Sequence, residues 1–98
     1  MKTLTEIKER LKEHKEELRK QFHVKSLALF GSCVRGEQGA ESDVDIMVEF
    51  DRPVGWEVVD LRCYLEEILG MRVDLVTKGA LLRKPLLWQA IEKELTYV

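Results

Sequence analysis

The chain has 98 residues, of which 45% are hydrophobic, and a formal net charge of -2. This length fits a single compact domain over residues 1–98, and the small negative charge provides no overall positive field that would draw the protein to nucleic acid or to an anionic membrane. The N-terminal region is charged rather than apolar, and the longest unbroken apolar run, residues 27–30, is too short to cross a bilayer, so we expect a cytoplasmic protein.

The N-terminal region carries the pattern of an amphipathic helix. Apolar residues recur there at helical spacing and predict one helix over residues 3–21; they are Leu4, Ile7, Leu11 and Leu18. Residues 25–30 are short, mostly apolar and closed by Gly31, which predicts a strand covered on both faces. Residues 32–35 then predict a short helix.

A second strand is predicted over residues 43–50, "DVDIMVEF", because its side chains alternate in character. Strand side chains have a period of two, so Asp43 and Asp45 share one face with Met47 and Glu49. The other face is apolar and should contact the core: Val44, Ile46, Val48 and Phe50. The two acids are therefore expected to point away from the main core.

The remaining elements follow a break at "DRPVG". Apolar residues from Val58 to Ile68 predict a helix ending at Gly70, and "RVDLVT" predicts a third strand. The segment "KGALLRKP" predicts a turn or short helix stopped at Pro85, residues 86–95 predict the last helix, and "TYV" is a short tail. This order implies an α+β domain with a small mixed β-sheet and helices on one side.

Asp43, Asp45 and Asp74 are the candidate chemical residues of the chain. Asp43 and Asp45 stand two residues apart on one strand face, so their Cα atoms should lie about 6.5–7 Å apart and their carboxylates can converge. Carboxylates this close repel each other, and Mg²⁺ prefers such oxygen ligands together with substrate phosphates. Asp74, in the middle of the third strand, adds the third acid of a two-metal cradle.

Each acid also has an ordinary structural interpretation. Asp43 could be an N-cap or a strand-start residue, and Asp74 could form an ion pair with Arg72 or another base. Glu49 shares the face of Asp43 but lies farther along the strand, and glutamates are usually exposed, so we expect it at the surface. Cys33 and Cys63 lack CxxC spacing, and we expect two reduced thiols.

Gly31 and Ser32 form a turn that could hold a phosphate. The predicted short helix after Gly31 would present free backbone N–H groups, and Ser32 would add a hydroxyl. The segment matches neither the Rossmann fingerprint nor the Walker loop. Arg35 could contact a triphosphate, or it could pair with Asp43 or Glu37.

Taken together, these residues resemble a known family. Gly31 and Ser32, ten further residues, then Asp43 and Asp45, with a later acid in "RVDLV", resemble the nucleotidyltransferase superfamily that includes DNA polymerase β. More narrowly, the chain resembles the minimal nucleotidyltransferase (MNT) proteins over nearly all of residues 27–98. The resemblance implies a polymerase β palm-like sheet flanked by helices, two Mg²⁺ ions, and transfer of a nucleoside monophosphate, with ATP the expected donor, to a hydroxyl group.

The resemblance also implies roles and partners. Asp43 and Asp45 match the metal-binding pair, Asp74 matches the third carboxylate, which activates the acceptor, and Gly31 with Ser32 match the phosphate-binding turn. Minimal members are commonly paired with a helical HEPN protein as antitoxin to an RNase toxin, and some silence it by attaching AMP to a tyrosine, as in type VII systems. Two alternatives stay open: an antitoxin that only binds its partner, with an idle active site, and a small-molecule nucleotidyltransferase.

The C-terminal segment, "ALLRKPLLWQAIEKEL", holds more apolar residues than one helix face readily buries. We expect most of them to complete the core, and the alternative is an exposed patch for a second chain in a homo- or hetero-oligomer. Trp56 could stack on a base or cover an edge of the core, and we expect it to cover the core edge.

Overall fold

A computed structural model describes residues 3–37 and 43–98 of the chain. The last five residues of the ten-residue spacer between Ser32 and Asp43, residues 38–42, lie outside the described residues. The elements in the described ranges are α1 (Leu4–Glu13), α2 (Lys15–Phe22), β1 (Val24–Phe30), α3 (Ser32–Arg35), β2 (Val44–Phe50), α4 (Glu57–Leu69), β3 (Val73–Thr77), α5 (Lys78–Leu82), α6 (Pro85–Glu92) and β4 (Thr96–Tyr97).

The strands form a four-stranded mixed sheet in the order β3-β2-β1-β4. Strand β1 is antiparallel to β2 and β4, whereas β2 and β3 are parallel. The end of β1 therefore lies at the same edge of the sheet as the starts of β2 and β3, and Phe30 is paired with Asp45, which is paired with Asp74. This arrangement confirms the α+β fold class, with a small mixed sheet flanked by helices.

The main core lies between one face of the sheet and helices α1, α2 and α4. The alternation along β2 is as predicted, because Val44, Ile46 and Val48 are fully buried on this face. Leu65, at the centre of α4, is also fully buried. Each such side chain contributes roughly 1.5–3 kcal/mol through removal of its apolar surface from water.

A second, smaller core covers the opposite face of the sheet. Its buried residues are Ala28, Phe30, Met47, Leu81 and Ile91. The prediction that helices would lie on one side only is therefore wrong, because α5 and α6 pack on this second face. Helix α5 forms because Thr77 caps it, its hydroxyl accepting a hydrogen bond from the N–H of Ala80 at 3.2 Å.

The predicted N-terminal helix is divided in two at His14. Helix α1 ends at Glu13, and the N–H of His14 donates back to the carbonyls of Leu11 and Lys12. The His14 imidazole Nδ1 lies 2.9 Å from the Arg10 carbonyl oxygen. Leu11 and Leu18 lie on either side of the break, and both reach the core. The apolar spacing is therefore the same for one helix or two, so periodicity alone did not reveal the break.

The C-terminal region also differs from the prediction, because the last helix ends at Glu92 rather than at residue 95 and the short tail contains a strand. Thr96 and Tyr97 form β4, which pairs with Leu29 and Ala28 of β1. Both residue types favour strands, but two residues are too few for a periodic signal. The C-terminal segment is thereby fixed beside the strand that leads into the Gly31 turn.

The apolar residues of the C-terminal segment divide between core and surface. Leu81 and Ile91 are buried, whereas Leu82, Leu86 and Leu87 are exposed. Trp56 is 84% exposed, so the prediction that it covers the core edge is wrong.

Cys33 and Cys63 are free cysteines, as expected. The helices within residues 3–37 and 43–98 include none with the length and apolar character needed to traverse a membrane.

Candidate active site

The sheet places two of the candidate acids side by side. Asp45 in β2 and Asp74 in β3 are direct neighbours in the parallel register, and both lie on the face that carries Met47 and Val76. Asp43 immediately precedes β2. Asp45 is partly buried, while Asp43 and Asp74 are exposed. Asp45 and Asp74 lie side by side because β2 and β3 run in the same direction, and Asp43 lies at the same end of β2.

The environment of Asp45 opposes its negative charge. Burial raises the pKa of Asp45 from 3.8 to about 6, with further contributions from the charge of Asp74, a side-chain hydrogen bond with Asp74 and the charge of Asp43. The positive charge of Arg35 acts in the opposite direction. A group of carboxylates with this property fits a divalent cation, because the cation would stabilise the ionised forms.

Asp43 is oriented differently from the other two acids. Its carboxylate Oδ1 lies 3.1 Å from Nε of Arg72. Across residues 3–37 and 43–98, no three acidic, histidine or cysteine side chains are already arranged as a metal-ligand group. Asp45 and Asp74, whose side chains are hydrogen-bonded to each other, are the two acids that the structure brings into contact, and Asp43 is held by Arg72. Arg72, offered from sequence as a possible partner of Asp74, forms an ion pair with Asp43.

Gly31 brings the β1–α3 turn against the acids. Its backbone has φ 76° and ψ -151°, a region that is essentially restricted to glycine. A Cβ atom at this position would overlap the Asp45 carboxylate oxygen Oδ2 and lie 3.0 Å from its Cγ. Glycine is therefore favoured at position 31 for two reasons: the backbone conformation and the close approach of the Asp45 carboxylate.

Ser32 and Cys33 continue this turn into α3. Ser32 is partly buried at the first position of the helix. Cys33 is buried, and burial followed by the charge of Asp45 raises the pKa of its thiol. A neutral, buried thiol is a poor nucleophile, which agrees with a structural role for Cys33.

Arg35 lies between two carboxylates. Its Nε donates to Glu37 at 3.0 Å, and its Nη1 donates to Glu94 at 2.9 Å. Of the interpretations given from sequence, the Glu37 pair is present, and Asp43 instead contacts Arg72.

Glu94 is the residue at this site that sequence reasoning missed. Its Oε1 accepts a hydrogen bond from the backbone N–H of Gly31 at 3.2 Å, in addition to its contacts with Arg35. Glu94 is 63 residues from Gly31 in sequence, and no local pattern links the two.

The arrangement combines the elements of phosphate chemistry. The acids lie beside the Gly31 turn, which offers a backbone N–H donor, and near Arg35, whose guanidinium suits phosphate oxygens. The site is at the sheet edge, with exposed Asp43 and Asp74 on the solvent side. It could therefore admit a phosphorylated ligand together with a second reactant.

Comparison with known proteins points to one family. Residues 11–98 match the model of the nucleotidyltransferase domain family. A Methanocaldococcus jannaschii protein, provisionally named a protein adenylyltransferase, is 54% identical over 101 residues that cover 100% of this chain and 100% of that protein. The protein adenylyltransferase MntA of Thermococcus cleftensis is 46% identical over 99 residues, covering 100% of this chain and 98% of MntA.

A solved structure with a similar fold comes from a toxin–antitoxin system. The crystal structure of a toxin–antitoxin with AMP-PNP matches with a TM-score of 0.66 and 26% identity, over 87% of this chain and 69% of that chain.

Proposed function

The chain belongs to the nucleotidyltransferase domain family and is a nucleotidyltransferase, and from this premise we propose that it transfers AMP from ATP to a hydroxyl group of a partner protein. The observation that carries the proposal is the direct pairing of Asp45 with Asp74 beside the Gly31 turn. Adenylyltransferase relatives that match along their full length support AMP as the transferred group.

The proposed roles follow from the positions of the side chains. Asp43 and Asp45 would hold Mg²⁺, and Asp74 would complete the acidic group. Mg²⁺ bound there would neutralise phosphate charge and lower the pKa of the acceptor hydroxyl. Gly31, Ser32 and Arg35 bind the triphosphate through the backbone N–H, the hydroxyl and the guanidinium.

The transfer is a displacement at the α-phosphorus of ATP. The acceptor oxygen forms a bond to this phosphorus while the bond from phosphorus to the oxygen that bridges to the β-phosphate breaks, and pyrophosphate leaves. The proton of the acceptor hydroxyl passes to Asp74, the exposed acid of the pair. Fixing both reactants at one sheet edge lowers the entropic part of the barrier.

The acceptor is proposed to be a tyrosine of a helical HEPN-type toxin, for which this chain is the antitoxin. The similar crystal structure is of a toxin–antitoxin with an ATP analogue, which supports a toxin partner and a nucleotide substrate. Exposed Leu82, Leu86 and Leu87 on α5 and α6 provide apolar surface for such a partner. These helices pack on the sheet face that also carries Asp45 and Asp74.

The test is transfer of label from α-labelled ATP, with Mg²⁺, to the candidate toxin protein. Wild type should label the toxin, and Asp43→Asn should not. Asp51→Asn is the matched control, because Asp51 is an exposed acid that pairs with Arg52 in the loop after β2 and the substitution changes charge equally. Full labelling by Asp43→Asn would refute the metal role of Asp43.

A binding-only antitoxin is the second candidate, and the exposed leucines of α5 and α6 are the observation that favours it. In that case wild type and Asp43→Asn would form equally tight complexes with the toxin, and neither would transfer label.

A further inference from the structure

Glu94 occupies the donors that the proposed function assigns to the nucleotide. Its two carboxylate oxygens accept from Nη1 of Arg35 at 3.1 and 2.9 Å, and Oε1 also accepts from the N–H of Gly31 at 3.2 Å. Backbone N–H groups and guanidinium groups are also donors that phosphate oxygens accept from. The Glu94 carboxylate therefore uses donors of the kind that a phosphate group would use.

We propose that Glu94 is an internal competitor of the nucleotide phosphates and thereby sets the affinity of the site for ATP. The proposal rests on the proposed function, because it assumes that Gly31 and Arg35 contact the triphosphate. Before ATP binds these donors, the Glu94 carboxylate leaves them.

The position of Glu94 makes this exchange feasible without unfolding. The residue follows α6 and directly precedes Leu95, which packs on the smaller core, and β4, which pairs with β1. The backbone is thus held on both sides, while the Glu94 side chain is 21% exposed and the Arg35 side chain is 49% exposed. Rotation of the side chain toward solvent suffices to release both donors.

Electrostatics strengthens the competition. Asp43, Asp45 and Asp74 already make the metal-free site negative, and Glu94 adds a further negative charge next to Arg35. A triphosphate carries more negative charge than a carboxylate and can displace it, but the displacement lowers the net affinity.

The experiment measures equilibrium dissociation constants of ATP by calorimetry, with Mg²⁺, for wild type, Glu94→Gln and Glu94→Asp. Glu94→Gln removes the charge. Glu94→Asp keeps the charge, but its shorter side chain withdraws the carboxylate from the two donors. Both variants should bind ATP roughly two- to fivefold more tightly, as expected for removing a partly exposed ion pair from the competing state.

Two controls isolate the cause. Glu92→Gln makes the same charge change at an exposed position on the last turn of α6 and should leave ATP binding as in wild type. Adenosine, which has no phosphates, should bind Glu94→Gln and wild type equally. Thermal melting of each variant identifies any loss of folded protein.

The outcomes separate the two proposals. Unchanged or weaker ATP binding by folded Glu94→Gln and Glu94→Asp, while wild type binds ATP, would overturn the competitor role and leave the proposed function standing. Equal tightening for ATP and adenosine would also overturn it, because the effect would then not act through the phosphates. Failure of wild type and all variants to bind ATP would overturn the proposed function, and the competitor role with it.

Discussion

Replacement of Gly31 by alanine provides the sharpest test of the site geometry. The backbone of Gly31 lies in a region that costs other residues on the order of 1–3 kcal/mol. The new Cβ would also overlap Oδ2 of Asp45, so either the turn or the Asp45 carboxylate has to move. A displacement of about 1 Å at a reacting group can lower the rate by about 100-fold.

Gly36 supplies the matched control for this substitution. It also has a positive φ, 73°, but a Cβ there would meet no atom within 4 Å among the described residues. Gly36→Ala should therefore show only backbone strain, about 1–2 kcal/mol, with transfer retained. For a domain of this size, each 1 kcal/mol lowers the melting temperature by roughly 4–8 °C.

Two measurements decide the outcome: urea unfolding of both variants and their rates of AMP transfer from labelled ATP. Gly31→Ala should lose more stability than Gly36→Ala and should lose most of its transfer rate while still folded. Transfer by Gly31→Ala at the rate of Gly36→Ala would show that contact with Asp45 does not matter for the reaction, and the close approach would then have no catalytic meaning.

Three further predictions concern charge, core and surface. In metal-free buffer, wild type should lose stability relative to Asp45→Asn as the pH rises from about 4 to 6. The reason is that the raised pKa of Asp45 makes the folded state bind more protons than the unfolded state in this pH range. A difference in urea midpoint that stays constant with pH would contradict this prediction. Leu65→Ala should cost about 2–5 kcal/mol in unfolding free energy, because Leu65 is fully buried, and a loss below about 1 kcal/mol would refute its place in the core. Trp56→Ala should change stability by no more than about 0.5 kcal/mol, given 84% exposure, and a larger loss on chemical denaturation would show that Trp56 packs in solution.

The parts of the fold that sequence predicted are those set by short-range periodicity. The alternation of residues 43–50 predicted the core face of β2, and the helical spacing before Gly70 predicted α4. The convergence of Asp45 and Asp74 followed from placing acids on two neighbouring strands, since a parallel register then brings them together.

The parts that sequence did not predict depend on contacts between distant segments. Glu94 reaches Gly31 across 63 residues, and a glutamate after a helix carries no signal for such a contact. The division at His14 left the apolar spacing intact, so the pattern was the same for one helix or two. Trp56 is apolar by type, yet burial depends on whether other segments cover it, and in this structure they do not.

The charges around the three acids explain why a bound cation would have its largest effect on the ionisation of Asp45. Asp43 has Arg72 as an ion-pair partner, and Arg35 has Glu37 and Glu94. Asp45 is different, because its pKa is raised to about 6 despite the opposing influence of Arg35. The fold therefore destabilises the ionised form of Asp45 when no cation is present. A bound divalent ion would stabilise that form, so we expect the site to bind metal and triphosphate together more tightly than either alone.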